Sequence, residues 1–502
     1  MTDYHCTIKT HGCRQLEVDL KYPLVRHRDK ACFQFDCYLF NPYQLAITAG
    51  RYGVAGFFRD LRSYTRYTVP AIPLDKLIDP ACEVSPLSRI YRMLSNSGLV
   101  SELNERAVIY ELRVLANVYH AQLSGILRLL GQKLDKAKDI EQAAAYLESS
   151  LNEMDCFLEK FRRLHQEFLD AQVKDMLREG LLWADEAISL HTEKFNYRAY
   201  RLLLGRPGMD ACRQTLEKRL DREQQYRKQR GYAAIIDPGN ETGNELFVYR
   251  EGLLKKWSEG CLYLSRLPSS IAAHVAQIMM GTAAGIAMVF AVMATIFASR
   301  WFVAESLPWV VLIVLGYIAK DRIKDSLRAA LITMIPSLMA DQMENLIDPA
   351  LDKKVGNNRA RARFCRPDQV PELVTRLRDI RANVFKGVIP PENVLHYHKE
   401  IRFDAGKIRN HHKRLESLTE IIRLKMDYWF ANMDDPANRL FCVQNGKIAA
   451  VTANRVYHVN MIVCLTDRNH PEQRQSFFRY RLILTRNGIL RIETLESFPV
   501  TI

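Results

Sequence analysis

Residues 267–299 read LPSSIAAHVAQIMMGTAAGIAMVFAVMATIFAS, a run without a charged side chain in a protein of 502 residues whose charged share is 25%. Ordinary mixing places a charge at about every fourth position, so its absence over this length needs a physical cause. A helix rises about 1.5 Å per residue and roughly 20 residues cross the hydrocarbon of a bilayer, a length that Ile271 to Ala298 exceeds. Pro268 followed by Ser269 and Ser270 supplies a helix start. These features predict a transmembrane helix from Ile271.

A second uncharged run, Ser306 to Ala319, rises only about 21 Å as a helix. It reaches a full span if Lys320 and Arg322 carry their charges to the headgroups, with Trp301 and Trp309 at the opposite interface. Together the runs predict a two-helix transmembrane hairpin over 271–323. Lys255, Lys256 and Arg266 precede it, Lys320, Arg322, Lys324 and Arg328 follow it, and the intervening loop holds only Arg300 opposed by Glu305. Basic residues mark the cytosolic side, so both termini are expected in the cytosol. Compact organisation without long disordered linkers makes a bacterial inner membrane the expected location. Gly281 and Gly285 form a Gly-x-x-x-Gly pair that Ala284, Ala287 and Ala291 extend into a narrow face, which predicts helix association and a homo-oligomer. A seam joining the two runs within one chain, near Gly316, is the other reading of the same residues.

Working outward, residues 1–80 read as a β-rich unit, with alternation in Gln15 to Leu20 and an aromatic run from Ala31 to Phe40. Residues 85–265 read as a helical bundle whose best helix carries Ile140, Ala144, Leu147, Leu151, Met154, Leu158, Phe161, His165 and Phe168 along one seam. Residues 324–434 read as an amphipathic and helical connector. Its apolar side runs from Ile323 to Leu346 with a break at Pro336, a basic loop follows, and a helix is expected from Asn410 to Ala431. Residues 435–502 read as an antiparallel β unit, with Asn445-Gly446 and Asn487-Gly488 as hairpin turns. The expected fold class is therefore a mixed membrane protein, mainly α, with small β-rich units at the N- and C-termini.

The formal charge of +14 favours anionic surfaces, and no nucleic-acid motif accompanies it. Lys353, Lys354, Arg359, Arg361 and Arg363 of the basic loop are candidates for anionic lipid headgroups. Eleven cysteines lack paired metal-binding spacings and fit reduced thiols. Phosphate-cradling glycine loops, His-Glu-x-x-His and Gly-x-Ser-x-Gly are absent, so no catalytic residue and no cofactor is assigned. His396 and His398, two apart in an extended run, share a face and form the nearest approach to a metal site, with Glu400, His411 and His412 following. On the C-terminal sheet, alternation places His458, Asn460, Arg479 and Arg481 on one polar face able to bind an anion or an acidic partner.

These features lead to the expectation of a membrane-anchored scaffold or adaptor that self-associates and presents its modules to a cytosolic protein partner. An oligomeric pore-forming effector and an enzyme with an unrecognised site are the alternatives.

Overall fold

The computed structural model describes residues 6–24, 28–95, 102–135, 140–170, 175–232, 236–303, 306–338, 340–378, 392–469 and 474–500. Strand-forming runs dominate both ends of the chain and also recur between them. In chain order the strands are β1 (Cys6–His11), β2 (Gln15–Pro23), β3 (Lys30–Pro42), β4 (Leu61–Tyr67), β5 (Ser265–Pro268), β6 (Gln342–Asp348) and β7 (Lys353–Cys365). They continue with β8 (Glu392–Asp404), β9 (Ser417–Lys425), β10 (Ala437–Gln444), β11 (Lys447–Asn454), β12 (Tyr457–Asp467), β13 (Arg474–Thr485) and β14 (Gly488–Val500).

Pairing crosses the whole sequence. An eight-stranded sheet has the order β14-β13-β12-β3-β8-β7-β6-β5, and a four-stranded sheet has the order β1-β2-β9-β4, both antiparallel. Because side chains alternate across a strand, one face of β3 sends Phe33, Phe35, Cys37 and Leu39 into the main core, and Leu395, Tyr397, Ile401 and Phe403 of β8 join them. From the four-stranded sheet, Leu16, Val18 and Leu20 of β2 and Leu418, Ile422 and Leu424 of β9 enter the same core. Tyr22 of β2 lies 5.0 Å from the Phe33 ring of β3, so the two sheets meet face to face.

A buried polar cluster crosses this interior. Lys399 of β8 donates to Glu420 of β9 and to Ser63 Oγ (3.1 Å), and Tyr22 donates to the other Glu420 oxygen (2.9 Å). Both charged groups are sealed from solvent, and burial draws the Lys399 pKa down. The core continues into the helices Glu102–Asp135, Ile140–Asp170 and Asp175–Leu203, where Tyr119, Leu147, Met154, Phe157, Phe161 and Phe195 are buried. Arg414, just ahead of β9, ties the sheets to the helices through Glu111 (2.7 Å).

The expected fold class is corrected by this architecture. Strands are not confined to small terminal units: β3 from the N-terminal part sits between β12 and β8, so chain ends and middle share one sheet. The two-span hairpin is corrected as well. The helices Ile271–Trp301 and Leu307–Leu338 pack along each other, with Gly316 against Ala294, but among the described residues only Gln277–Trp301 is long and apolar enough to cross a membrane. The second helix fails because Lys320, Asp321, Arg322 and Lys324 end its apolar run after Ala319. The expected multi-pass membrane location is corrected too, because it requires two spans and one helix among the described residues meets the length and composition of a span.

Local expectations shift for identifiable reasons. The basic segment is no loop but strand β7, in which Asn358, Ala360 and Ala362 are buried on one face. The stretch from Asn410 to Ala431 is strand β9 between the short helices Ala405–His411 and Asp427–Ala431, because Thr419, Ile421 and Ile422 pair between β2 and β4. Leu346 belongs to β6, beyond a helix that runs to Leu338. Asn445 (φ 55°) and Gly446 (φ 74°) form the β10–β11 turn, whereas β13 and β14 are joined by Arg486 and Asn487, with Gly488 already paired to Thr485. Glu305 of the expected loop lies outside the described residues.

Candidate functional site

The outer face of the eight-stranded sheet, opposite the core, carries a grid of polar residues that strand register alone assembles. In one row Arg361 of β7 stands beside His398 of β8, Asp36 of β3, Cys464 of β12 and Phe477 of β13. The next row runs Arg363, His396, Tyr38, Ile462 and Arg479, and the third runs Arg359, Glu400, Gln34, Thr466 and Gln475. Each row member is two residues from the next along its strand, the period that keeps side chains on one face. A cavity of about 750 Å³ opens over these rows. One wall is apolar: Val374 of the helix Glu372–Leu377 packs with Tyr38, Val394, Ile462 and Phe477 in a small second core.

Asp36 is the hub. Its Oδ1 accepts from His396 Nε2 and His398 Nδ1, each at 2.8 Å, and its Oδ2 accepts from Gln34 Nε2 at 2.8 Å. Burial alone would raise the carboxyl, but the histidine hydrogen bonds outweigh it and hold Asp36 far below the usual carboxylate range. Arg363 Nε donates to His396 Nδ1 (3.2 Å), and the His396 ring is stacked on Tyr38 at 4.2 Å. A guanidinium has no acceptor to offer, so His396 Nδ1 must accept, and the ring proton sits on Nε2 facing Asp36. His398 spends its Nδ1 on Asp36, and its Nε2 has no hydrogen-bond partner among the described residues. A carboxylate that orients an imidazole and leaves the far nitrogen open is the arrangement of a general base.

Asp36, His396 and His398 also place one ligand atom each within 4.8 Å of one another, as a metal would require. The donor chemistry opposes that use. Ligation through His396 Nε2 would push its proton onto Nδ1, against the Arg363 guanidinium, and Arg359 and Arg361 line the same cavity. Cys464 is not an available nucleophile, because burial pushes its thiol up to about 12.

The structure thus unites two sets of residues that sequence patterns single out separately, the histidine pair and Arg359, Arg361 and Arg363. Lys353 and Lys354 stand exposed at the start of β7, away from the cavity. His458, Asn460, Arg479 and Arg481 share the outer face but do not line the cavity; Asn460 is buried and Arg481 faces Glu493 at 3.7 Å. Ala287 is buried against the second long helix together with Ala283 and Ala298, while Ala284, Gly281 and Gly285 face open space and Ala291 is half-buried. Asp36, Gln34 and Tyr38 escape sequence reasoning because they lie in a run dense in aromatic residues. Their signal is alternation: polar positions 34 and 36 interleave with Phe33, Phe35 and Cys37. Comparisons with protein-family models, curated proteins and solved structures found no match.

Proposed function

We propose that the chain binds a small anion of the phosphate or carboxylate class in the outer-face cavity, with the Asp36–His398 pair placed to take a proton from it. The single observation that supports this is the register of β7 on β8, which sets Arg359, Arg361 and Arg363 beside Glu400, His398 and His396. Arginine forks match carboxylate and phosphate oxygens and carry charge at every physiological pH. Three guanidinium groups stand along this strip against one carboxylate, Glu400, which is itself paired with Arg402. This is an enzyme-like site, and it takes up the third of the three expectations drawn from sequence.

Calorimetric titration of the full chain with inorganic phosphate, pyrophosphate and a dicarboxylate tests the reading. Binding should weaken as salt rises, and Arg361→Ala should reduce affinity roughly tenfold, the worth of one charged hydrogen bond. Absence of binding by every anion at millimolar concentration refutes it. Uptake of Zn²⁺ that depends on His396 and His398 refutes it too, in favour of a metal site.

The adaptor reading keeps one independent support. The β10–β11 hairpin stands apart from both sheets and exposes Phe441 (68%), Val443 (75%) and Ile448 (80%), an apolar surface suited to a protein partner. Crosslinking through a photoreactive residue at Phe441 in cells tests it, and an unaltered monomeric band refutes it.

A further inference from the structure

A second cluster of titratable groups lies far from Asp36, where the sheets meet the helices. Asp348 ends β6, and its Oδ1 accepts from the backbone N–H groups of Ala350 (2.8 Å) and Leu351 (3.2 Å), fixing the turn that leads to β7. Its Oδ2 accepts from Tyr67 on β4 (2.5 Å) and from His412 Nε2 (2.7 Å). With Nε2 donating, His412 Nδ1 is the acceptor for the Tyr110 hydroxyl at 3.2 Å. Burial would raise the Asp348 carboxyl, yet the bonds from His412 and Tyr67 lower it, while burial holds the Tyr110 phenol in its protonated, donating form. The result is a directed chain, phenol to imidazole to carboxylate, in which Asp348, Tyr67 and His412 are buried.

Tyr110 and His412 form part of the lining of a cleft of about 830 Å³, a volume in the range of small-molecule sites. The lining also holds two half-buried tryptophans, Trp183 and Trp257, with ring centres 5.9 Å apart. Arg113 lies over the Trp257 ring at 5.3 Å and its buried Nε lacks a hydrogen-bond acceptor. Arg106 adds a further exposed cation to the rim. Asp352, in the turn that Asp348 fixes, lines the same cleft with φ 50°, a conformation costly for a residue with a side chain. Aromatic faces, arginines and an edge that exchanges hydrogen bonds are what a planar heteroaromatic ring bearing an anionic group requires.

We propose that this cleft is a separate site for a mononucleotide, its base set against Trp257 and hydrogen-bonded by Tyr110, and its phosphate facing Arg106 and Arg113. The relay gives Tyr110 a fixed donor direction into His412, so its oxygen lone pairs are left to accept from an N–H of the base. The phosphate chemistry resembles that of the outer-face cavity, but the ring distinguishes the two sites.

The test titrates the full chain with AMP, GMP and UMP, and with ribose 5-phosphate as the ring-free control, following tryptophan fluorescence and heat. At least one mononucleotide should quench fluorescence, and ribose 5-phosphate should not. Trp257→Leu should weaken binding roughly tenfold or more through lost stacking. Tyr110→Phe, which keeps the ring and the packing, should weaken it about threefold to tenfold through one lost hydrogen bond. Arg359→Ala, in the other cavity, should leave it unchanged. Nucleotide binding that is indifferent to Tyr110→Phe and Trp257→Leu overturns the proposal, as does binding abolished by Arg359→Ala or equal binding of ribose 5-phosphate. Absence of binding by AMP, GMP and UMP alike at millimolar concentration overturns it as well, while the phosphate and pyrophosphate titrations on the outer cavity stand or fall by themselves.

Discussion

Replacing Asp36 by Asn removes one charge and alters no volume, so its consequences can be worked from the hydrogen bonds alone. Asp36 accepts three, from His396 Nε2, His398 Nδ1 and Gln34 Nε2, each at 2.8 Å. A bond to a charged group contributes about 1.5–3 kcal/mol and a neutral one about 0.5–1.5, so neutralising the acceptor forfeits about 1 kcal/mol at each. An amide also presents N–H₂ where Oδ2 was, facing the Gln34 donor, and that bond is lost entirely unless Gln34 flips. The sum is a destabilisation of roughly 2–4 kcal/mol at neutral pH. The pH dependence has a definite sign. The folded-state pKa of Asp36 is depressed, so its stabilisation is fully present above the unfolded carboxylate value near 4 and disappears as pH falls through the depressed folded value. Urea denaturation followed by fluorescence should therefore show a gap between the two proteins that is constant from about pH 7 to pH 5 and closes only below about pH 4. A gap smaller than about 0.5 kcal/mol, or one that widens on acidification, refutes the hub role of Asp36.

The remaining predictions concern the scaffold. Lys399→Met leaves Glu420 buried without its cation and should cost about 3–5 kcal/mol, whereas Lys399→Met with Glu420→Leu should recover most of the loss; equal melting temperatures for single and double variants would contradict the pairing. Gly488 has φ 144° and a Cβ there would lie 2.4 Å from the Cys13 carbonyl oxygen, so Gly488→Val should lower the melting temperature well beyond Gly446→Val, whose Cβ meets open space. If the Gly446 variant is the more damaging, the turn assignment fails. Cysteines placed at Ala294 and Gly316 should crosslink under mild oxidation in a background lacking the exposed Cys13, Cys156 and Cys442, since the two Cβ positions lie 3.2 Å apart. Failure to crosslink in the folded protein would separate the two long helices.

Much of the outer-face site is legible in the sequence, but only in pieces. Spacing of two puts His396 and His398 on one face, and the same spacing holds for Arg359, Arg361 and Arg363. The arginine run looks like a loop because Ala360, Ala362 and the Asn357-Asn358 pair have little strand propensity; pairing with β6 and β8 on either side overrides that preference. Asp36 is 360 positions from His396, and no local rule joins them. Long-range strand pairing is likewise why Asn410 to Ala431 deceives, since its apolar residues satisfy a helical face as well as a strand buried on both sides. The charge-free run is read correctly as a long helix from Ile271, yet one apolar helix says nothing of its neighbour, and Lys320 to Lys324 decide against a matching second span.

Strand β8 shows how the two faces of one sheet depend on each other. Its odd positions point Tyr397 and Lys399 into the core, and its even positions point His396 and His398 at Asp36. A slip of one residue against β3 would exchange the faces, drawing Lys399 into the outer cavity and both histidines into the apolar interior. Among the described residues Lys399 finds its carboxylate in the opposite sheet, on Glu420, and the histidines find theirs on β3. The two polar sets are therefore satisfied together in a single register and unsatisfied together in the next. A buried ion pair of this kind gives little net stability compared with apolar residues of the same volume. Its effect is on discrimination: every shifted register strands a charge in the core, and the energy gap so created holds the histidines and the β7 arginines in line across the cavity.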